Sequence, residues 1–200
     1  MCSSDLGHPQ AMVDLGQLYL AGIGTEKNPA EALTWSRKAA DLGDPSGMRQ
    51  VGFIYLRGLG VSEDSQEAFR WYERAMKAGD PESAIDVFGF HLTGRGVKRD
   101  VGKAIAVLKE AAKASNPLAM RVLGHTYYEG KHVDKDYKEA LKWYRKGADL
   151  SDTASMLSIA SMYAQGLGVD KDERESGNWI QRAADNGDSE AKEMLRKRRQ

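Results

Sequence analysis

Four short stretches of this 200-residue chain carry the residue types that could hold a phosphate. Tyr19 opens YLAGIGT, Tyr55 opens YLRGLGV, His91 opens HLTGRGV and Tyr163 opens YAQGLGV, while Tyr127 opens a variant, YYEGKHV. Two glycines around one residue, set before a helix, can aim backbone N–H groups at an anion. Here the next helix opens at Asn28, Asp64, Asp100, Asp136 or Asp172. That side chain satisfies the free N–H groups itself, and where it is Asp it also repels phosphate. No Gly-Lys-Ser/Thr follows, so there is no P-loop. The glycines therefore read as inter-helix turns, with Val61, Val97, Val133 and Val169 plugging them into a core.

The remaining chemistry-bearing residues point the same way. His8, His91, His125 and His132 show neither HExxH nor Cys/His metal spacing. His91 replaces a tyrosine and reads as a core or boundary residue, His132 sits in a loop, and His125 lies on a polar helix face. Ser189-Glu-Ala-Lys192 matches a bare Ser-x-x-Lys, but no Lys-Thr-Gly accompanies it. Cys2, the only cysteine, rules out an internal disulfide and is assigned no nucleophilic role. No catalytic residue, metal ligand or cofactor is expected.

Bulk properties narrow the class further. Lys+Arg and Asp+Glu both number 29, so the formal net charge is zero. A nucleic-acid or membrane-surface binder would show a basic excess. Hydrophobic residues make up 41%, ordinary for a folded protein, and no apolar run approaches the length of a membrane span. Met1–Gly7 has neither the basic nor the apolar region of a signal peptide. The compartment stays open between cytoplasm and periplasm.

The five loop motifs start 36 residues apart without insertion. A period in this range means stacked repeats. With Gly7 first, the expected units are 7–42, 43–78, 79–114, 115–150 and 151–186, followed by a partial sixth, 187–200, as C-terminal cap. Trp35, Trp71, Trp143 and Trp179 share one column. Its helical neighbours are Ala and Leu, which reads as core rather than a sugar-stacking platform. Met12, Met48, Met120 and Met156 share another column, and Ala32, Ala68, Ala104 and Ala140 a third.

Each unit reads as two helices. The first is capped by Asp44, Asp80, Asn116 or Asp152, with Pro45, Pro81 and Pro117 at its first position. Met48, Val51, Gly52 and Tyr55 form its buried face, and a loop glycine such as Gly58 ends it. The second helix opens at the Asn or Asp after the loop. Glu31, Glu67, Glu139 and Glu175 stand three residues on, a capping-box pattern. Ala140, Leu141, Trp143, Tyr144, Gly147 and Ala148 illustrate its buried stripe. Neither helix can bury its face alone, so stacking supplies the core.

Some units depart from the pattern. The third has Phe88, His91 and Val107 where others carry Gly, Tyr and Trp, which predicts a slightly different packing angle. The fourth has Lys131-His132 in place of the second loop glycine. Ser176-Gly177 weakens the fifth unit's second helix by about 1 kcal/mol relative to Ala. At the start, Gly7 opens a unit with no capping helix before it. Met1–Leu6 reads as a non-native tail or the residue of a preceding repeat, since Asp5-Leu6 matches Asp41-Leu42, and a truncated N-terminus is expected. At the other end, Lys192 stands where other units carry Met, as a polar outer face requires. Arg196–Arg199 reads as a basic helix end favoured by the helix dipole.

The run Leu123-Gly-His-Thr-Tyr-Tyr-Glu-Gly, followed by Val133-Asp-Lys-Asp-Tyr-Lys-Glu-Ala-Leu-Lys-Trp-Tyr-Arg-Lys-Gly-Ala, resembles a SEL-one-like repeat. That family is related to the tetratricopeptide repeat but has a slightly longer inter-helix loop. The resemblance runs from Gly7 to about Leu195. It implies an all-α, right-handed α/α solenoid of helix-turn-helix repeats serving as a non-enzymatic protein–protein interaction scaffold. Two alternatives come with it: a beta-lactamase-like hydrolase, from a disulfide-rich branch that this chain departs from, and a cell-envelope adaptor for polysaccharide export.

In a helix-pair solenoid the first helices usually line the concave surface. Opposite their core face lie Ser46, Gln50, Phe53 and Arg57, then Glu82, Asp86, Gly89 and Thr93, then Leu118, Val122, His125 and Glu129. These columns vary while the core columns do not. The expected partner-binding set is Gln50, Phe53, Arg57, Asp86, Thr93, His125 and Glu129, with an aromatic beside an arginine as hot spot. The expected partner is a peptide or helical segment of another protein, not nucleic acid, and the chain itself does not span a membrane.

Overall fold

The computed structural model describes residues 7–198. The expectations for Met1–Leu6, Cys2 and Arg199 lie outside these. The described residues form eleven α-helices and no strand: α1 (Pro9–Ala21), α2 (Pro29–Asp41), α3 (Pro45–Arg57), α4 (Ser65–Lys77), α5 (Ser83–Thr93), α6 (Val101–Lys113), α7 (Pro117–Glu129), α8 (Tyr137–Asp149), α9 (Thr153–Gln165), α10 (Glu173–Asp185) and α11 (Ser189–Arg198). Consecutive helix-turn-helix repeats place the chain in the all-α, α/α solenoid class. It divides into two compact units, one ending at Val107 and the other beginning at Leu108. In the first, each of α1 to α5 packs on the next, and α1 also meets α3. In the second, the same holds from α7 to α11.

The joints between repeats rest on one Asx residue each. The backbone N–H of Asp44 donates to Ala39 O (3.1 Å), closing the end of α2. Its carboxylate accepts from Gly47 N (2.7 Å), opening α3. The same double duty falls to Asp80, Asn116, Asp152 and Asp188, whose N–H groups reach Ala75, Ala111, Gly147 and Ala183. Their side chains accept from Ser83, Ala119, Ser155 and Ala191. The six-residue return bond requires a left-handed residue just before the Asx. Gly43, Gly79 and Gly187 supply it with φ of 86°, 97° and 96°. Ser115 and Ser151 stand there with φ of 61° and 65°, which a Cβ makes unfavourable.

Within each repeat the Tyr-x-x-Gly motif works through its backbone. The N–H of Asn28, Asp64, Asp100, Asp136 and Asp172 donates to the carbonyl nine residues earlier, of Tyr19, Tyr55, His91, Tyr127 and Tyr163, at 2.8–3.0 Å. The expected capping box is thus half formed. The Asx side chain does accept from the N–H three residues on, as Asp136 does from Glu139 (2.9 Å). The return arm from the glutamate is displaced, because the N–H it would satisfy is spent on the tyrosine carbonyl. Glu67 turns instead to the indole of Trp71 (2.9 Å).

The second loop glycine lets one repeat approach the previous one. A Cβ on Gly96 would stand 2.3 Å from Ser65 O, at the start of α4. Arg95 fastens the same loop, donating to Leu56 O (2.9 Å), Ser65 Oγ (3.0 Å) and Glu63 (2.9 Å).

The core columns are filled as the periodicity requires. Ala32, Ala68, Ala104 and Ala140 are fully buried, as are Val51 and Ile54, and Met48 is nearly so. Val61, Val97 and Val169 are half-buried against core clusters. Trp71, Trp143 and Trp179 are buried, and each indole is covered by a basic side chain three residues on, Arg74, Lys146 and Arg182, 4.1 Å from the ring centre. Trp35 and Lys38 repeat the stack at 4.0 Å. In the third repeat Val107 and Glu110 occupy these positions.

Two elements differ from expectation. The sequence pattern places Gln50 on the outward face, but it is 8% exposed. The first helix is enclosed on several sides, since α3 packs on α1, α2 and α4. The Ser36 hydroxyl donates to Ala32 O (2.6 Å), so it accepts from the Gln50 amide at 2.8 Å. The amide group also donates to Val13 O (3.3 Å), and its oxygen accepts from Gln17 N (3.2 Å). The second difference is α5, which starts at Ser83 rather than Pro81. Its first turn is tightened by an Ile85 N–H to Glu82 O bond (2.9 Å), and Arg49 holds the Glu82 carboxylate. Asp80 still caps it through Ser83 N (2.7 Å).

Three substitutions test these joints and the loop contact. Ser115→Gly and Ser151→Gly each relieve a left-handed side chain and should add about 0.5–1 kcal/mol, raising the urea midpoint without changing its slope. Gly96→Ala should cost about 2 kcal/mol or more, from a strained φ and the collision with Ser65, seen as a lower midpoint.

Candidate partner-binding surface

The first unit contains a cleft of about 380 Å³ lined chiefly by first helices. Gln10, Val13, Gln17 and Leu20 come from α1, Ser46, Arg49, Gln50 and Phe53 from α3, and Asp86 from α5, while Tyr72 of α4 closes the wall. Three expected site residues, Gln50, Phe53 and Asp86, meet here. Their roles separate. Gln50 is tied into the α1–α2 contact, whereas Phe53 is 40% exposed, with the Arg57 guanidinium 5.9 Å from its ring centre. An exposed aromatic with a cation over its ring offers apolar area that costs little entropy to order.

Charge in this cleft is arranged around Arg49. Its guanidinium faces Asp80 (Nε to Oδ2, 3.4 Å) and is paired with Glu82. Asp86 stands beside this pair. Burial, together with the charges of Asp80 and Glu82, outweighs Arg49 and pushes its carboxyl up to about 6. Tyr72 is 3% exposed, and its hydroxyl is pushed well up by burial and then by Asp86.

The other expected residues are placed differently. Thr93 ends α5, exposed, its hydroxyl turned back to Gly89 O (2.8 Å). In the second unit His125 faces Glu129 across one helical turn (3.3 Å). A hydrogen bond from Lys131 is the main cause that holds the Glu129 carboxyl below its usual range, helped by the charge of His125. His125 also lines a cleft of about 420 Å³ with Tyr128, Tyr144, Leu157, Ser158, Ser161 and Glu190. His91 packs edge-on against Phe69 (5.4 Å). Ser189 and Lys192 lie at the start of α11, where the lysine reaches Gly187 O (3.5 Å). Among the described residues no group of His, Cys, Asp or Glu is arranged to hold a metal, and no helix is long and apolar enough to cross a membrane.

Sequence reasoning missed Arg49, Tyr72 and the α1 wall. Arg49 had a signal. Arg121 occupies the same column two repeats on, and each arginine precedes an N-cap Asp by 31 residues. The Arg121–Asp152 pair, 3.3 Å, matches Arg49–Asp80.

Comparison with known proteins bears on this geometry. The Sel1 repeat model matches residues 9–44, 45–80, 81–116, 117–152 and 153–188. No curated protein gives a match. Among solved structures, a Sel1 repeat protein from Oxalobacter formigenes is 32% identical, with TM-score 0.76, over 96% of this chain and 78% of its own. The protective antigen c5321 of uropathogenic Escherichia coli, described as displaying an SLR fold, is 30% identical, with TM-score 0.71. The match covers 94% of this chain but 40% of that antigen. The immunity protein Pa5087 of Pseudomonas aeruginosa shares the fold at 20% identity and TM-score 0.66 over 92% of this chain and 70% of its own.

Asp86 gives a pH test. Its carboxyl titrates near 3.8 when unperturbed and near 6 in the fold. Below both values the native and unfolded states each hold the proton. As pH rises from about 4 to 6 the unfolded state ionises first, so stability falls across that window. Asp86→Asn should flatten this dependence and be the more stable chain at pH 7, by about 1–2 kcal/mol after solvent screening, in urea titrations at both ends of the window.

Proposed function

Because the chain belongs to the Sel1 repeat family, we propose that it is a non-enzymatic adaptor that holds a segment of another protein against its first helices. Sel1 repeat proteins in general are protein-interaction scaffolds. The observation that carries the reading here is the first-unit cleft, walled by α1, α3 and α5 with Phe53 exposed at its edge. Surface columns that change from repeat to repeat support it. The Phe53 column reads Gln17, Phe53, Gly89, His125 and Ser161, while the alanine column beneath barely varies. A stack of near-identical joints presenting unlike side chains is what reading one partner sequence requires.

In this reading Phe53 is the anchor, Arg57 orients over its ring, and Asp86 supplies charge. Gln50 supports the wall from beneath. Thr93 is assigned to a flanking contact, while His125 and Glu129 are assigned to a separate contact on the second unit. A peptide in extended or helical form meets Phe53 first, because an apolar ring loses the most water on contact.

The test uses the partner captured by tagged wild-type protein and then purified. The Phe53→Ala, Arg57→Ala double variant should bind it at least about tenfold more weakly, as an aromatic anchor and its cation are worth about 1.4 kcal/mol or more. Thermal melts check that the variant is folded. Unchanged affinity in a folded variant would remove Phe53 and Arg57 from the interface.

A further inference from the structure

The repeats offer an internal comparison at one inter-repeat contact. A residue on the second helix of one repeat faces the residue 14 positions later, on the first helix of the next. At Ser36 and Gln50 the contact is a hydrogen bond of 2.8 Å. At Tyr144 and Ser158 a phenol meets a hydroxyl in one cleft, and since the serine donates to Ala154 O (2.9 Å) it is placed to accept. Leu108 with Val122, and Ile180 with Met194, are apolar on both sides at the same spacing. The remaining pair is Tyr72 and Asp86.

That pair is not matched in the same way. Tyr72 is almost wholly buried and Asp86 half-buried, and both line the cleft. No hydrogen bond joins them among the described residues, and the Asp86 carboxylate forms no ion pair there. Both face the cleft rather than another protein group, so an entering side chain meets a carboxylate and a phenol hydroxyl that it can pair with.

The charge around the cleft says which kind of partner. Arg49, the cation nearest Asp86, is already shared between Asp80 and Glu82. The walls from α1 contribute the uncharged Gln10 and Gln17. Arg57 and Arg95 act on the Tyr72 hydroxyl from further off. Arg95 is paired with Glu63, and with Arg49 and Arg57 counted against Asp80, Glu82 and Asp86 the local balance is still negative. An incoming group must therefore carry positive charge and enough apolar length to cross Phe53.

We propose that this cleft receives a basic side chain, arginine above all, from the bound partner, its guanidinium on Asp86 and its stem along Phe53. A planar guanidinium can pair with a carboxylate through two N–H groups and lie on an aromatic face, which an ammonium does less well. The Tyr72 hydroxyl, freed from repeat-to-repeat duty, accepts a further N–H. The inference rests on the adaptor reading and adds to it the chemistry of the partner's anchoring residue.

The experiment is an NMR titration of the full chain with N-acetyl-arginine amide, set against N-acetyl-citrulline amide, a neutral near-isostere. Amide shifts at Arg49, Phe53, Tyr72 and Asp86 should follow the arginine probe, with the citrulline probe at least about tenfold weaker. The group that binds the cation titrates near 6, so affinity should drop about tenfold between pH 7.5 and pH 5. Asp86→Asn should remove the preference for arginine at pH 7.5. Equal shifts from both probes, no shifts, or an unchanged preference in a folded Asp86→Asn chain would each overturn the proposal. The pH arm uses the wild-type chain, so the proposal can fail even where that variant does not fold. Loss of arginine binding with capture of the natural partner intact would refute this anchor alone and leave the adaptor reading standing.

Discussion

Everything in this fold hangs on an Asx residue that belongs to two helices at once. Its N–H ends one helix and its side chain begins the next, so the direction of the chain is fixed across a single residue. Helix caps and return bonds are each worth about 1 kcal/mol, modest beside burial of the core. Their importance is geometric. Asp44 and its counterparts set the angle at which the next first helix leaves. Only then do Met48, Val51 and Ile54 meet the helices that bury them. The left-handed residue just ahead of each Asx is the cost of that tight reversal, borne easily by Gly43 and less easily by Ser151.

The repeat architecture was legible because its signals are local and recur at a fixed interval. Caps, loop glycines and a column of buried alanines require no knowledge of distant contacts. What escaped was decided by neighbours. Gln50 lies opposite Met48 on a helical wheel and looks solvent-facing. The helix is enclosed on more than one side, so the amide ends up in the α1–α2 seam. The capping box stayed half formed for a related reason. The glutamate three residues on was in place, but the N–H it would have met was already committed to a tyrosine carbonyl nine residues back. Single-helix rules see neither competitor.

The surface follows the same division. Phe53 and Asp86 were legible as residues opposite the core face of their helices, and both line the first-unit cleft. Arg49, Tyr72 and the wall from α1 were not, since a half-buried arginine and a core tyrosine look structural in sequence. They are structural as well, and that is why the cleft has a defined shape. Arg49 ties the first helix of one repeat to the cap of the next, and in doing so it withdraws from Asp86 the cation that stands nearest. A scaffold element and a recognition element share one side chain.

The bonds at each joint also bear on how such a chain can change over generations. Every one spans a fixed residue offset and refers only to an adjacent repeat. Duplication or deletion of a whole 36-residue block recreates each joint intact wherever the cut falls within the period. Gain or loss of one residue inside the loop, by contrast, moves the Asx away from its tyrosine carbonyl and the glycine away from the preceding helix. Length is therefore free to drift in whole blocks while the spacing within a block is held fixed, and the five loop motifs here keep their interval without a single slip.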